Sequence, residues 1–60
     1  MNDDMTVWVL ESMGEEIYVA ADTAEQALII AEMSRDELDN DPYRTTYDEA
    51  SSRTDEILEG

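Results

Sequence analysis

Carboxylates and hydroxyls make up almost the whole chemical repertoire of this chain. Seventeen Asp and Glu residues stand against Arg35, Arg44 and Arg53, and the 60 residues contain no lysine, histidine or cysteine. The usual general bases, thiol nucleophiles and imine-forming amines are therefore missing. Carboxylate pairs can run glycoside or aspartic chemistry, but both need a cleft that so short a chain can hardly enclose. No serine has a basic partner, and no glycine-rich loop is present to hold phosphate. The sequence predicts a protein that is not an enzyme and needs no cofactor.

The densest acidic run, Asp36-Glu37-Leu38-Asp39-Asn40-Asp41, concentrates five oxygen-bearing side chains in six residues. A calcium loop of the EF-hand type needs ligands at alternate positions, a mid-loop glycine and a bidentate glutamate at its end. That pattern is incomplete here, so no specific metal site is expected. The missing cysteines exclude disulfides and thiolate metal sites, which suits a reducing cytoplasm. No apolar run approaches the roughly eighteen residues of a membrane span, and no basic segment precedes a hydrophobic one, so neither a span nor a signal peptide is expected.

The remaining chemistry is that of the field itself. The formal net charge is −14, and self-repulsion of this size works against a compact state. A folded chain of this mass exposes roughly 4,000 Å², or about one net charge per 280 Å² if spread evenly. Duplex DNA carries one charge per roughly 1.7 Å of axis, about threefold denser as a cylinder. Gathered on one side, the carboxylates would match a phosphate backbone. A sphere of this length is about 25 Å across, comparable to seven or eight base pairs carrying about fifteen phosphates.

The candidate phosphate surrogates are Glu32, Asp36, Glu37, Asp39 and Asp41, followed by Asp48, Glu49, Asp55 and Glu56 toward the end of the chain. Carboxylates at such intervals accept the bidentate arginine and point-charge lysine contacts that a DNA-binding cleft offers its substrate. Opposite fields would also steer the encounter, making association fast and salt-sensitive. Nucleic acid and anionic lipid would be repelled, so the expected partner is a basic protein.

The elements that must carry these residues are legible in part. Met5 to Leu10 and Glu16 to Ala21 are rich in β-branched and aromatic residues, and the intervening Ser12-Met13-Gly14-Glu15 supplies the glycine a hairpin needs. Two overlapping capping boxes follow, Asp22 with Glu25 and Thr23 with Gln26, and predict a helix from about Thr23 to Met33. Ser34 to Glu37 repeats the pattern, a break and restart that must end before Pro42. Tyr43 to Tyr47 alternates as a third strand, with Tyr43, Thr45 and Tyr47 on one face. Ala50, Ile57 and Leu58 are spaced as one face of a short C-terminal helix, favoured over a fourth strand. The expected fold is a single α+β domain over residues 1–60: a hairpin plus a third strand packed against one main helix.

At helical steps of about 100°, Ala24, Ala27, Leu28, Ile30, Ala31 and Leu38 share one arc, while Ile29 and Met33 point away from it. The first strand has a similar surplus, with Val7 and Val9 on one face and Trp8 and Leu10 on the other. Either the C-terminal segment with Ile57 and Leu58 covers one of these faces, or an apolar patch is left inside an acidic rim, as in a protein-binding surface. In the second case Ile29 and Met33 are the apolar contacts.

With its size, lysine-free acidic composition, order of hairpin, helix and strand, and acid clusters at Asp36 to Asp41 and Asp48-Glu49, the chain resembles the small acidic DNA-mimic proteins that phages encode against host defence. These include anti-CRISPR proteins that block DNA recognition by a Cascade-type complex. The resemblance implies a non-enzymatic inhibitor in the host bacterial cytoplasm, monomeric or homodimeric, that occupies the PAM-reading or DNA-binding surface of a Cas protein. Restriction enzymes, a DNA glycosylase or a nucleoid protein are other targets within that group. Two other readings fit the composition. A domain from a salt-loving microbe is acidic for solubility and should lose its fold below about molar salt, whereas an inhibitor stays folded at physiological ionic strength, where screening reaches about 8 Å. An antitoxin-like adaptor binding through Ile29 and Met33 should hold its partner at high salt.

Overall fold

The hairpin is set by two residues. In the computed structural model, which describes residues 6–59, β1 (Thr6–Ser12) and β2 (Glu15–Ala20) pair antiparallel, with Ser12 opposite Glu15. Met13 and Gly14 form the turn, both at positive φ (55° and 79°). This is the left-handed backbone that a two-residue type I′ turn requires and that matches the twist of the strands it joins. The predicted start of the first strand at Met5 lies outside the described residues.

α1 (Ala24–Ala31) begins at Thr23, whose hydroxyl accepts the Gln26 N–H at 3.1 Å. Of the two overlapping boxes, the second is used. The helix stops short of the predicted Met33 because Glu32 turns left-handed (φ 60°), with Glu32 N–H donating to the Ile29 carbonyl and Met33 N–H to that of Leu28. This pair of bonds is a Schellman closure, whose left-handed position usually carries glycine or asparagine. Replacing Glu32 by Gly should raise unfolding stability by about 1 kcal/mol, since it relieves the left-handed side chain and removes an acid from the negative end of the helix. Chemical denaturation of the two proteins side by side measures the difference.

The closure corrects one expectation. Met33 does not continue the outer stripe of the helix with Ile29; the reversed chain returns it to the core beside Leu28 and Leu38. Ile29 stays outside, 72% exposed. The anticipated restart is a single 3-10 turn, Arg35–Glu37, capped by Ser34 backbone without a side-chain bond.

β3 (Tyr43–Thr46) pairs antiparallel with β1, setting Tyr43 opposite Val9 and Thr45 opposite Val7. Tyr47 is not part of this strand. It opens α2 (Tyr47–Arg53), because Thr46 caps the helix by accepting the Glu49 N–H at 3.1 Å. The chain ends in β4 (Ile57–Glu59), which pairs parallel with β2 and completes a mixed sheet of order β3-β1-β2-β4. The short C-terminal helix is therefore present but brief, and a fourth strand follows it. Ile57 and Leu58 do not share a helical face with Ala50: successive strand residues point to opposite sides, and Leu58 is 40% exposed.

A helix on each face explains why β1 is apolar on both. On one side, Val7, Val9, Tyr18 and Ala20 pack with Ala50 of α2 and with Ile57. On the other, Leu10 and Val19 pack with Ala27 and Leu28 of α1, and Trp8, Ile17, Ile30, Met33 and Leu38 close around them. The C-terminal segment does cover one face of the hairpin, through Ala50 and Ile57. Trp8 donates its indole N–H to the Ala21 carbonyl at 3.2 Å, and the Arg44 guanidinium lies 5.9 Å from its ring centroid. The exposed area is 4,235 Å², and the molecule measures 34 × 20 × 16 Å. It is longer than the 25 Å sphere expected from chain length. Among the described residues no helix is long and apolar enough to cross a membrane.

Candidate anionic interface

All nine acids expected to stand in for phosphates are exposed, but the sheet divides them. Glu32 closes α1, and Asp36 and Glu37 lie in the 3-10 turn that follows on the same side. Asp48 and Glu49 occupy the first turn of α2, where they complement its dipole. Asp55 and Glu56 lie in the link to β4, where the Glu56 N–H donates to the Thr54 hydroxyl. Asp39 lies between these sets: its N–H donates to the Glu11 carbonyl at 2.7 Å, and its Oδ2 accepts the Gly14 N–H at 3.2 Å. Asp41 follows on the way to β3.

Asp39 thereby joins carboxylates outside the expected set. Glu11, Glu15, Glu16 and Asp39, with Gly14, Tyr18, Arg53 and Thr54, line an open depression of about 490 Å³ at the turn end of the sheet. A signal for them exists. Any two-residue turn at Met13-Gly14 sets Glu11 directly opposite Glu16, as observed. Like charges in a cross-strand pair ordinarily destabilise a sheet. Here neutral donors hold the pair. Asn40 Nδ2 donates to Glu11 Oε1 at 2.8 Å, Tyr43 to Glu11 Oε2 at 3.3 Å, and Tyr18 to Glu16 Oε1 at 2.7 Å. Amide and phenol donors fix the direction of a carboxylate without cancelling its charge.

The cations do little to quench this surface. The ion pair found among the described residues joins Arg53 to Glu49 at 3.8 Å, with both side chains more than half exposed, and pairs of that kind contribute about 0–1 kcal/mol. The Arg53 guanidinium is held more firmly protonated, by the neighbouring Tyr18 hydroxyl first and by Glu49 second. The phenol of Tyr18 is raised above the usual tyrosine range by its hydrogen bond to Glu16 and then by burial, with Arg53 opposing. That of Tyr43 is raised by burial and by the charge of Glu11. Among the described residues no group of three acids converges to hold a metal ion.

These phenols carry a pH dependence. A raised folded-state value means that the neutral phenol favours the native state, so its contribution is complete below about pH 10 and is lost as pH rises through the shifted value. Glu16→Gln should move the Tyr18 titration back toward the ordinary range, because the charged acceptor is gone. An ultraviolet titration of tyrosinate formation, wild type against variant, reads this directly; an unmoved curve would mean that Glu16 does not control Tyr18.

Known proteins offer no guide to this site: no protein-family model matches the chain, and neither a curated protein nor a solved structure matches it.

Proposed function

We propose that the protein is a non-enzymatic inhibitor that mimics DNA and occupies the DNA-binding, PAM-reading surface of a host defence protein, acting as an anti-CRISPR protein in the host bacterial cytoplasm. The observation that carries this reading is the turn end of the sheet, where Glu11, Glu15, Glu16 and Asp39 line one depression and neutral donors orient Glu11, Glu16 and Asp39. Fixing anions in advance lowers the ordering cost of meeting arginine and lysine. The dimensions agree: 34 Å of length corresponds to about ten base pairs and about twenty phosphates, and the chain carries seventeen acids. The other acids are divided between the two faces of the sheet and do not form the single crowded side expected, so the reading rests on the turn end.

The test is capture from a bacterial lysate at low and at high salt, followed by competition with duplex DNA. A DNA-binding protein retained at low salt and released by DNA supports the proposal. A partner indifferent to both would overturn it and favour an interaction module of another kind.

A further inference from the structure

β3 is an edge of the sheet, and among the described residues no strand lies beyond it. The Ala21 N–H donates to the Thr6 carbonyl, and because main-chain direction alternates along a strand, Thr6 and Trp8 turn their polar groups toward β2 while Val7 and Val9 turn theirs toward β3. Val7 and Val9 stand opposite Thr45 and Tyr43. Those two residues therefore spend their N–H and C=O groups on β1, and Arg44 and Thr46 turn theirs outward. The Thr46 carbonyl, at the cap of α2, serves the helix. The Arg44 N–H, the Arg44 C=O and the Thr46 N–H are left as a row able to pair with another strand.

Edge strands are ordinarily guarded by charge, by proline or by a covering element. The charge on this edge is drawn aside. The chain has no lysine, and the Arg44 guanidinium lies 5.9 Å from the ring centroid of Trp8, which sits opposite it on β1, so cation–π attraction holds it over the sheet instead of across the edge. Two aromatic side chains stand here as well. Tyr43 within β3 and Tyr47 immediately after it are 43% and 40% exposed, and tyrosine is enriched where proteins meet. The other edge, β4, is one residue shorter and carries no aromatic side chain.

The surroundings select the occupant. An added strand lays alternate side chains on the two faces of the sheet. On the face of Tyr43 and Thr45, cations would meet an aromatic ring whose hydroxyl donates to the Glu11 carboxylate, a setting that favours them. On the opposite face Arg44 disfavours cations, so uncharged residues belong there. Asp41 and Asp48 flank the strand, and a second copy at −14 is repelled.

We infer that the outer edge of β3 receives an extended basic segment of a partner protein as a further strand, cationic and uncharged residues alternating along it. This pairing stands apart from the DNA-mimic reading, since a duplex offers no backbone to a sheet edge.

A fluorescent peptide of alternating Arg and Thr is the probe, with binding read by anisotropy and amide hydrogen exchange by nuclear magnetic resonance. Binding should slow exchange at Arg44 and Thr46 and leave Gly14 unchanged. Slowing at Gly14 alone would put the peptide at the anionic end and overturn the inference. Of two peptides N-methylated on alternate amides, at the arginines or at the threonines, one should lose affinity by about tenfold or more and the other should keep it, because an extended strand turns only every second amide toward its neighbour. Equal affinities of the two would count against strand pairing. Arg44→Pro removes an outward N–H where an edge tolerates proline and should weaken binding similarly, whereas Arg44→Ala, which loses the same side chain, should not. A Glu-Thr peptide that bound as tightly would rule out the basic occupant, and dimers of the protein alone with Arg44 and Thr46 protected would make a second copy the occupant. DNA displacement in the lysate experiment is a separate result: its failure would remove the DNA-mimic reading and leave the edge pairing standing.

Discussion

Replacing Leu10 by Ala should leave most of the protein unfolded at 25 °C. Leu10 is fully buried and belongs to the cluster that joins the sheet to α1. Truncating such a leucine costs about 3–5 kcal/mol, through lost transfer energy and the cavity left behind. A chain of 60 residues has about 3–9 kcal/mol of stability in total at ordinary values per residue, and repulsion at −14 draws it toward the lower end. Urea denaturation followed by circular dichroism should therefore show little or no folded baseline for the variant. Ile29→Ala, at the exposed face of α1, should change stability by about 0.5 kcal/mol or less. A fully folded Leu10→Ala protein would mean that the α1 side of the sheet contributes far less than its packing implies.

Converting Glu11, Glu15, Glu16 and Asp39 to Gln, Gln, Gln and Asn should have the largest effect on binding. The amides keep an acceptor for the Tyr18 hydroxyl, the Gly14 N–H and the Asn40 amide, and the Tyr43 hydroxyl, which donates to the second Glu11 oxygen, can accept from the new amide instead, so the turn end retains its shape while the net charge falls from −14 to −10, a change of four. At about 0.2–1 kcal/mol for each exposed ion pair lost, four cost about 1–4 kcal/mol, so affinity for an arginine-rich peptide should drop about tenfold or more. Its salt dependence should flatten as well. The fold should become firmer at low ionic strength, because relieved repulsion is felt most where screening is weakest. Asp36, Glu37, Asp39 and Asp41 changed to their amides should weaken binding less, because the turn end keeps Glu11, Glu15 and Glu16. Equal losses from the two sets would show that binding follows total charge rather than the arranged end.

Local chemistry made much of the fold legible. The Met13-Gly14 turn between β-branched runs and the Thr23 cap ahead of strong helix formers act within a few residues of themselves, and both appear where the residues place them. The signal for α2 was equally local: Thr46-Tyr47-Asp48-Glu49 is a capping sequence, and the Thr46 bond to Glu49 shows it in use. It was obscured by the alternation of Tyr43 to Tyr47, which reads as strand through one residue too many. The early end of α1 was less visible, because Glu32 holds a left-handed position that composition assigns to glycine or asparagine.

What the residues alone determined is the anionic character, the hairpin and the main helix, for these depend on charge count and on preferences expressed along a few consecutive positions. The return of Met33 to the core, the parallel seating of β4 beside β2 and the meeting of Asp39 with Glu11 and Gly14 were decided by the tertiary structure. Asp39 lies more than twenty residues from the turn it joins, and β4 more than thirty from its partner strand. Contacts at such separations form only when burial of both faces of the sheet offsets the chain entropy of bringing them together. That balance belongs to the whole domain, so the place where the carboxylates gather was a property of packing before it could be a property of sequence.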